Sequence, residues 1–529
     1  MDKYAEQALL EYNSEKTAAH QGGINARPFW NLNSSQFIFA PTFQFPAIPG
    51  IREYVFTAED KDGKLHTFTS PSPISSLAPV WGEIPVGIVT LRVEFEDRFD
   101  GKLRLSGART FYKAPPFPGR SKFPPKARSY RECATAAFRF IYNEPMVQYW
   151  LIHGKPQPDY PHNVYPAKTI DSIVRAMVYY SRLEPKEAGN ALELARRAAD
   201  YLLSISFGKG HPLEGLPPTY SFEGLDAEAV NRVAPAAKDC VGTMMMIYPV
   251  SAAIAYLTLA DATGDNKYFD AALKIAEYYK KTVLPSGSWY LLYDCESGKP
   301  LKDNVCVDFK FVNFFRMLYE KTKDACWHEL EMGCYKYITE RCLSTYNWEG
   351  QFEDVAVSGN YQNLTHFTAN NLIMYISKNL GDDGIMTEEA KDLMRFVEDQ
   401  FVVWGEHPKW NLNFDGEVRY YPAGLEQYFC YAPIDSSTST ILSAFASMYS
   451  LTSERLYLEK AMALADAVTR AQNAETGMIP TFWVGENYSY GYENFWINCQ
   501  LYSATAMMSL ADLLEAEGIE QPEVSVVEF

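Results

Sequence analysis

Residues 268–279 read YFDAALKIAEYY, and two further stretches repeat the pattern: 191–202 (ALELARRAADYL) and 456–468 (LYLEKAMALADAV). In each stretch, apolar residues recur three and four positions apart, which predicts an amphipathic α-helix with one buried face. Less exact copies lie near residues 325–342 and 388–403, so the spacing is roughly 60–80 residues. Self-similarity at such a spacing predicts stacked helical hairpins.

Each copy follows a more apolar helix, for example at residues 244–257. Counting all segments with a helical period gives twelve candidate helices, at residues 130–143, 168–184, 189–206, 240–262, 267–282, 304–321, 325–342, 365–379, 388–403, 436–450, 455–472 and 496–515. Six hairpins whose first and last helices pair would close a ring. The sequence therefore predicts a mainly α fold, an (α/α)6 toroid of six helical hairpins.

The connections between these helices alternate in length. Joints from an inner to an outer helix are short, as at residues 263–266 and 381–384. Joints from an outer to the next inner helix are long, at residues 207–239, 283–303, 343–364, 404–435 and 473–495. Loops much longer than a dozen residues are usually functional in a compact domain. All the long loops would emerge on one face of the ring, and we expect the site there.

The region before the helices predicts short strands. Residues 36–41, 54–57, 66–69 and 87–95 are rich in aromatic and β-branched residues, and the turn 60–63 joins the second and third. Five to seven such strands indicate a small antiparallel β-sandwich. The Pro-rich stretch 114–125 reads as a linker. We therefore expect a β-sandwich domain with a leading tail at 1–120 and a catalytic toroid at 121–529.

Composition excludes several classes of function. A net charge of −18 argues against a nucleic-acid partner, which needs a basic surface. The sequence contains no run of about 18 apolar residues, the length that would predict a membrane span. No secretory signal precedes the first strands, which favours the cytoplasm, or the periplasm or exterior if a signal was removed. Nine cysteines without a CxxC pair indicate free thiols, and no spacing predicts a metal or cofactor site.

Aromatic residues make up 15% of the chain, which suits either sugar stacking or a large helical core. Two segments are similar to helix entries in the six-hairpin glycosidases: 347–355 (NWEGQFEDV) and 426–437 (EQYFCYAPIDSS). The chain resembles that group, which includes uronic-acid-specific hydrolases and some polysaccharide lyases. The resemblance implies the toroid, a carbohydrate substrate and a site at the ring centre, but it assigns no acid or base by name.

Glycoside hydrolysis requires one carboxylic acid that protonates the leaving oxygen and a second carboxylate that activates water or attacks the sugar. The candidates are the acids of the long loops. They are Glu349, Glu353, Asp354, Glu426 and Asp435. Neighbouring carboxylates drive their pKa values apart, which keeps one of them protonated near neutrality. For Asp435, an N-cap of an inner helix is the competing structural interpretation.

Candidate substrate-binding residues lie in or beside the same loops. They are Asp239, Trp289, Trp348, His366, Tyr428, Tyr431, Trp483, Tyr490 and Trp496. Aromatic side chains there could stack on sugar rings, while Asp239 and His366 occupy expected helix starts facing the site.

The leading hypothesis is a glycoside hydrolase acting on an oligosaccharide or polysaccharide fragment, and a uronic-acid-containing glycan is one candidate substrate. A polysaccharide lyase is the first rival, and it would depend on His366 or on the tyrosines of residues 488–492. A sugar epimerase with two bases and a non-catalytic glycan-binding protein are two further hypotheses. The sequence does not indicate an oligomeric state.

Overall fold

The computed structural model describes residues 2–12, 33–381, 383–407, 417–485 and 494–519. Within them, the helices are α1 (Lys3–Tyr12), α2 (Ala78–Trp81), α3 (Tyr130–Asn143), α4 (Pro145–His153), α5 (Pro166–Leu183), α6 (Ala188–Ser204), α7 (Ala227–Val233), α8 (Ile247–Thr263), α9 (Asn266–Thr282), α10 (Lys310–Thr322), α11 (Ala325–Ile338), α12 (Phe367–Asn379), α13 (Gly384–Phe401), α14 (Asp435–Thr452), α15 (Arg455–Ala471) and α16 (Ile497–Ala516). The strands are β1 (Gln36–Phe37), β2 (Thr42–Gln44), β3 (Tyr54–Glu59), β4 (Leu65–Ser70), β5 (Ile74–Ser76), β6 (Gly87–Glu96), β7 (Leu103–Lys113), β8 (Thr243–Met245), β9 (Leu292–Asp294), β10 (Val402–Val403), β11 (Ala423–Gln427) and β12 (Cys430–Pro433).

Helices α5, α8, α10, α12, α14 and α16 form a closed inner ring. Helix α5 contacts α8, α8 contacts α10, α12 contacts α14, α14 contacts α16, and α16 contacts α5. Between α10 and α12, Thr368 donates a hydrogen bond to the Val307 carbonyl at 3.0 Å. Helices α6, α9, α11, α13 and α15 each pack outside the inner helix that precedes them, and α3 packs on α16. The predicted mainly α fold of six hairpins is therefore present.

The distribution of apolar residues decides which helices are inner and which are outer. In α8, every residue from Ile247 to Ala253 is buried, so that part of the helix has no polar face. In α9, the buried residues follow a helical stripe, at Tyr268, Ala272, Ile275, Ala276 and Tyr279. A helix that is apolar all round must be covered on all sides, whereas a striped helix can face water. No helix among the described residues is long and apolar enough to cross a membrane.

The short turns after α8, α10 and α14 share one design. The inner helix ends at a residue in the left-handed conformation, with φ of 69° at Gly264, 57° at Lys323 and 59° at Ser453. An acidic residue follows: the side chains of Asp265 and Asp324 cap α9 and α11 by accepting backbone N–H bonds at 2.9 and 3.0 Å. Such a C-cap followed at once by an N-cap reverses the chain within a few residues.

Two inner helices begin later than their sequence period predicts. Helix α8 begins at Ile247 instead of residue 240, because Thr243–Met245 pair with Leu292–Asp294 as strands β8 and β9. Helix α10 begins at Lys310 instead of residue 304, since Val305 bridges to Tyr290 in extended conformation. Both segments belong to long loops, where pairing with a distant strand overrides local helical preference.

The N-terminal sheet is mixed, which departs from the predicted antiparallel sandwich. Its strand order is β1-β7-β6-β3-β4, and β1 runs parallel to β7. The second sheet contains only β2 and β5. Phe43 of β2 lies 5.4 Å from both Phe37 and Phe111, so aromatic rings fill the space between the two sheets. The predicted hairpin of residues 54–69 is present as β3 and β4.

The Pro-rich stretch 114–125 packs against the ring, unlike the linker that its composition predicts. Phe117 is buried, and its ring lies 4.8 Å from that of Trp404. The Arg120 guanidinium contacts both carboxylate oxygens of Asp466, at 2.7 and 3.2 Å. Contacts from α15 therefore hold this segment in place.

The C-terminal end of α13 holds the first strand and α1. The buried Asp399 carboxylate accepts hydrogen bonds from the backbone N–H groups of Ile38 and Phe39, at 2.6 and 2.9 Å. Its neighbour Glu398 accepts from Tyr12 at 2.5 Å and from Lys460 at 2.7 Å. A buried carboxylate is stable only with such partners, so these bonds fix the N-terminal segment on the ring.

Replacing Asp399 by Ala should destabilise the protein by about 2–4 kcal/mol, because two buried N–H groups lose their acceptor. Glu388→Ala on the same helix is the control, since its carboxylate is 63% exposed and pairs with Lys391 at the surface; a loss of about 0.5 kcal/mol or less is expected there. Urea unfolding followed by tryptophan fluorescence measures both. Equal shifts of the two midpoints would contradict the anchoring role of Asp399.

Candidate active site

A cavity of about 490 Å³ lies at the centre of the helix ring. All six inner helices contribute to its wall, mostly through residues of their N-terminal halves. The rest of the wall comes from the segments that enter these helices, through residues such as Glu349, Asp354, Glu426 and Thr481. This is the face on which the long loops emerge.

The loop 349–355 is held by backbone pairing with the entry to α12. Glu349 bridges to Leu364, and the Gly350 N–H donates to the Asn363 carbonyl at 2.7 Å. A Cβ at Gly350 would lie 2.9 Å from the Asn363 amide nitrogen, so the close approach requires glycine there. This pairing directs the following acids toward the cavity.

Glu353 lies behind the cavity wall in an ion pair. Lys168 of α5 donates to one carboxylate oxygen, and the Tyr248 hydroxyl of α8 donates to the other. The Tyr220 hydroxyl donates to the Glu353 carbonyl at 2.8 Å. Burial would raise the pKa of Glu353, but the Lys168 charge and the two side-chain hydrogen bonds outweigh it and hold this pKa below its ordinary value. Glu353 is therefore an ionised anchor.

Asp354 faces the cavity and is the acid best suited to carry a proton. Asp354 is an exposed residue of the cavity lining, and protein atoms surround its carboxyl group. Burial and the negative charges of Glu353 and Glu426 raise its pKa to about 7, against the opposing effect of Lys168. A carboxylic acid with such a pKa can donate a proton near neutrality.

Glu426 enters the cavity from strand β11. The strand lies tightly against α14, because a Cβ at Gly424 would come within 2.7 Å of the Thr438 nitrogen. Burial raises the pKa of Glu426, and the Cys430 thiol, Lys168 and Gln427 oppose the increase. The Glu426 carboxylate therefore has three neighbours that stabilise its charge, although burial has the larger effect on its pKa.

Glu349 is the third cavity carboxylate without an ion pair among the described residues. It accepts a hydrogen bond from the Asn304 amide at 3.3 Å. Burial raises its pKa, and the charge of Arg341 and the Asn304 bond oppose the increase. Glu349, Asp354 and Glu426 all border the cavity, so the structure brings together three of the five predicted catalytic acids.

Besides Glu353, the catalytic candidate Asp435 and the substrate-binding candidate Asp239 lie outside the cavity lining. Asp435 is fully buried outside the cavity lining, where it accepts bonds from the Ser436 N–H at 2.7 Å and the Ser503 hydroxyl at 3.0 Å. It is the first residue of α14, whose N-cap is Ile434. Burial raises the pKa of Asp435 well above its ordinary value. Asp239 is exposed in a turn that ends before strand β8, because α8 begins later than predicted.

Most of the predicted aromatic contacts belong to the core. Trp289, Trp348 and Trp483 are fully buried away from the cavity, and the Trp289 ring stacks on Phe311 at 4.6 Å. These loop residues pack into the protein core, so their position in a long loop did not predict contact with the cavity.

Tyr428, Tyr431 and His366 also lie outside the cavity lining. The Tyr428 and Tyr431 hydroxyls both donate to Gln400, at its side chain and its carbonyl. His366 is buried beside Asn370, with 2.8 Å between the Asn370 amide and the His366 Nδ1 atom. Burial lowers the pKa of His366 to about 3, so it is neutral.

Trp496 is the predicted tryptophan that does border the cavity. The Lys168 ammonium lies 4.4 Å from its ring centre, and the His162 ring lies 3.7 Å away. Tyr490 and its neighbours Tyr488 and Tyr492 lie outside the described residues.

Sequence reasoning missed the charged residues that helix α5 and the start of α10 bring to the cavity wall. They are Lys168, Asp171, Arg175, Asp308 and Lys310. The available signal was the spacing in α5, where Lys168, Asp171 and Arg175 lie three and four residues apart and so share one face of the helix. Burial raises the pKa of Asp171, and the guanidinium of Arg175 opposes the increase. Among the described residues, no group of three or more His, Cys, Asp or Glu side chains could hold a metal ion.

Hydroxyl side chains in the cavity wall act as hydrogen-bond acceptors. Six of them donate their proton to a backbone carbonyl at 2.7–3.0 Å: Ser172, Thr365, Thr368, Thr440, Ser443 and Thr505. Each oxygen then keeps only lone pairs for a ligand. Together with the carboxylates, these oxygens make a wall rich in acceptors, which complements a ligand rich in donors.

No family model and no curated protein matches this chain. Solved structures that match include the cellobiose 2-epimerase from Spirochaeta thermophila DSM 6192, at 14% identity over 73% of this chain and 98% of that chain, with a TM-score of 0.47. A family 76 glycoside hydrolase from a bovine Bacteroides thetaiotaomicron strain matches at 10% identity over 86% and 93%, with a TM-score of 0.44. An unsaturated glucuronyl hydrolase specific for heparin matches at 9% identity over 74% and 99%, with a TM-score of 0.45. At these values the matches transfer no substrate and no residue role to this chain.

The raised pKa of Asp354 should make the stability of the protein depend on pH. Between its ordinary pKa of 3.8 and about 7, the folded state binds the proton more tightly than the unfolded state does. Stability contributed by this group is therefore present below pH 3.8 and declines as the pH rises toward 7. Asp354→Asn removes the decline, so its melting temperature should exceed that of the wild type at pH 8 and match it near pH 4.

Differential scanning calorimetry between pH 4 and 8 makes this comparison. Asp239→Asn is the control, since it removes a carboxylate that is exposed outside the cavity. A constant difference between Asp354→Asn and the wild type at all pH values would show that Asp354 is not held protonated by its surroundings.

Proposed function

We propose that the protein is a glycoside hydrolase that cleaves a short oligosaccharide in the ring-centre cavity. The observation that carries the proposal is that the carboxyl groups of Asp354 and Glu426 border the same acceptor-rich cavity. Burial and the charges of Glu353 and Glu426 raise the pKa of Asp354, which favours its protonated form. A pair of carboxyl groups held in different protonation states is what glycoside hydrolysis requires.

In this mechanism, Asp354 donates its proton to the glycosidic oxygen as the bond to the sugar breaks. Glu426 either takes a proton from the water that attacks the sugar, or attacks the sugar itself. In the second case, the deprotonated Asp354 takes a proton from water, and this water then breaks the bond between the sugar and Glu426. Burial raises the pKa of Glu426, while the Cys430 thiol, Lys168 and Gln427 stabilise the ionised form that either role needs. Glu349 supplies a third negative group near the positive charge that develops on the sugar ring.

The hydrogen-bonding character of the wall supports a carbohydrate substrate. Sugar hydroxyl groups donate protons, and the cavity offers carboxylate and hydroxyl oxygens to accept them. A volume of about 490 Å³ falls within the range of about 300–1,000 Å³ that small-molecule sites occupy. This size favours a short oligosaccharide or the end of a chain over the middle of a long polymer.

The described cavity fits a lyase less well. No histidine borders it among the described residues, and burial together with Glu353 raises the pKa of Tyr248 well above its ordinary value, which makes this tyrosine a poor base. An epimerase would return an isomeric sugar without cleavage, and a glycan-binding protein would return no product.

Asp354→Asn and Glu426→Gln should each lower kcat/KM by about 10²–10⁴-fold, since each removes a proton-transfer group. Glu349→Gln should lower kcat/KM by a smaller factor than either of these substitutions. Asp239→Asn should retain full activity, because this exposed residue lies outside the cavity. Release of reducing sugar from a panel of neutral and acidic oligosaccharides measures turnover, and mass spectrometry identifies the product.

The identity of the product distinguishes hydrolysis from the competing reactions. An unsaturated sugar would identify a lyase, and an isomer of the intact substrate would identify an epimerase. Full turnover in both Asp354→Asn and Glu426→Gln would overturn the assignment of the acids.

A further inference from the structure

The cations that border the described cavity are all paired. Lys168 contacts Glu353, and the Lys310 ammonium lies 3.3 Å from an oxygen of Asp308. Arg175 contacts both oxygens of Asp171, from Nε at 2.6 Å and from Nη2 at 2.8 Å. Within the part of the wall that the structure describes, no cation is left without a carboxylate.

The pairing of Arg175 has a specific consequence for ligand choice. The two parallel bonds of a guanidinium are the arrangement with which arginine binds the carboxylate of a uronic acid or a phosphate. In this cavity Asp171 already occupies that position. Asp171 and Arg175 are four residues apart on α5, so a rigid helix holds the pair in register.

The remaining charge in the wall is negative. Glu349, Asp354 and Glu426 border the same cavity without an ion pair among the described residues. An anionic sugar would have to displace Asp171 from Arg175 or remain unpaired near these carboxyl groups, and both are unfavourable. An uncharged sugar can instead use the hydrogen-bonding groups of the wall without displacing an ion pair.

We propose that the cavity selects uncharged sugars over uronic acids and sugar phosphates, and that Asp171 sets this selectivity by occupying the guanidinium of Arg175. The inference rests on the proposed carbohydrate site and narrows its substrate class. Asp171 acts as a specificity determinant through Arg175 and takes no part in bond cleavage.

Calorimetric binding of matched sugars tests the inference in the intact protein. The pairs are glucose with glucuronate, galactose with galacturonate, and mannose with mannuronate. In the wild type, the neutral member of the best-bound pair should bind at least about tenfold more tightly than the acid. Equal or tighter binding of the acid would overturn the inference, as would binding of neither member.

Asp171→Asn tests the role of the aspartate. This change leaves the Arg175 charge uncompensated, so the preference for the neutral sugar should fall at least about tenfold through a gain in uronate affinity. Glu193→Gln is the matched control, because Glu193 and Arg197 form the same four-residue pair on the outer helix α6, half-exposed to solvent. The control should keep the wild-type preference. An unchanged preference in Asp171→Asn would overturn the inference.

A second variant covers the case in which Asp171→Asn does not fold. Because Arg175 is engaged by Asp171, Arg175→Gln should not weaken uronate binding more than neutral-sugar binding. A selective loss of uronate binding in this variant would show that Arg175 binds the carboxylate of the uronate, and it would overturn the inference. Binding of neutral sugars without turnover would contradict only the proposed hydrolysis. Turnover of uronic-acid glycosides would contradict only the proposed selectivity for uncharged sugars.

Discussion

The structure depends on the burial of six inner helices around one axis. Helices such as α8 have apolar residues on successive faces, so they are stable only where other elements surround them. The outer helices supply that cover, and the contact of α16 with α5 closes the ring. Because the ring is closed, polar side chains of the inner helices can meet only near its axis. The cavity lies there.

The ion pair between Lys168 and Glu353 links this architecture to the chemistry we propose. Lys168 belongs to α5, Tyr248 to α8 and Glu353 to a loop that precedes α12. Because the pair keeps Glu353 ionised, the adjacent Asp354 carboxyl has a negative neighbour and holds its own proton more tightly. The packing of two helices thereby affects the protonation of a group carried by a loop.

The twelve ring helices and their alternation follow from patterns that the chain displays locally. Apolar periodicity identifies each helix, and the left-handed residue followed by an acidic cap at Gly264–Asp265 and Lys323–Asp324 marks the short turns. Strand pairings such as β8 with β9 were not predictable, because their partners lie far apart in sequence and each strand has only three residues. The loop acids Glu349, Asp354 and Glu426 were predicted from residue type and loop length. Most of the predicted aromatic contacts were wrong, since loop residues such as Trp289 and Trp483 are buried in the core, whereas Trp496 does border the cavity.

The sequence by itself determined the class of fold, the order of the hairpins and the face on which a site would form, because these depend on period and on loop length. Only the tertiary structure decided which acids meet and in what state of protonation. Glu353 and Asp354 are adjacent in sequence, yet one pairs with Lys168 while the other faces the cavity. Arg175 and Asp171 form a pair that the sequence allows, but its place in the cavity wall requires the closed ring. Electrostatic character depends on neighbours in space, and the chain order does not specify them.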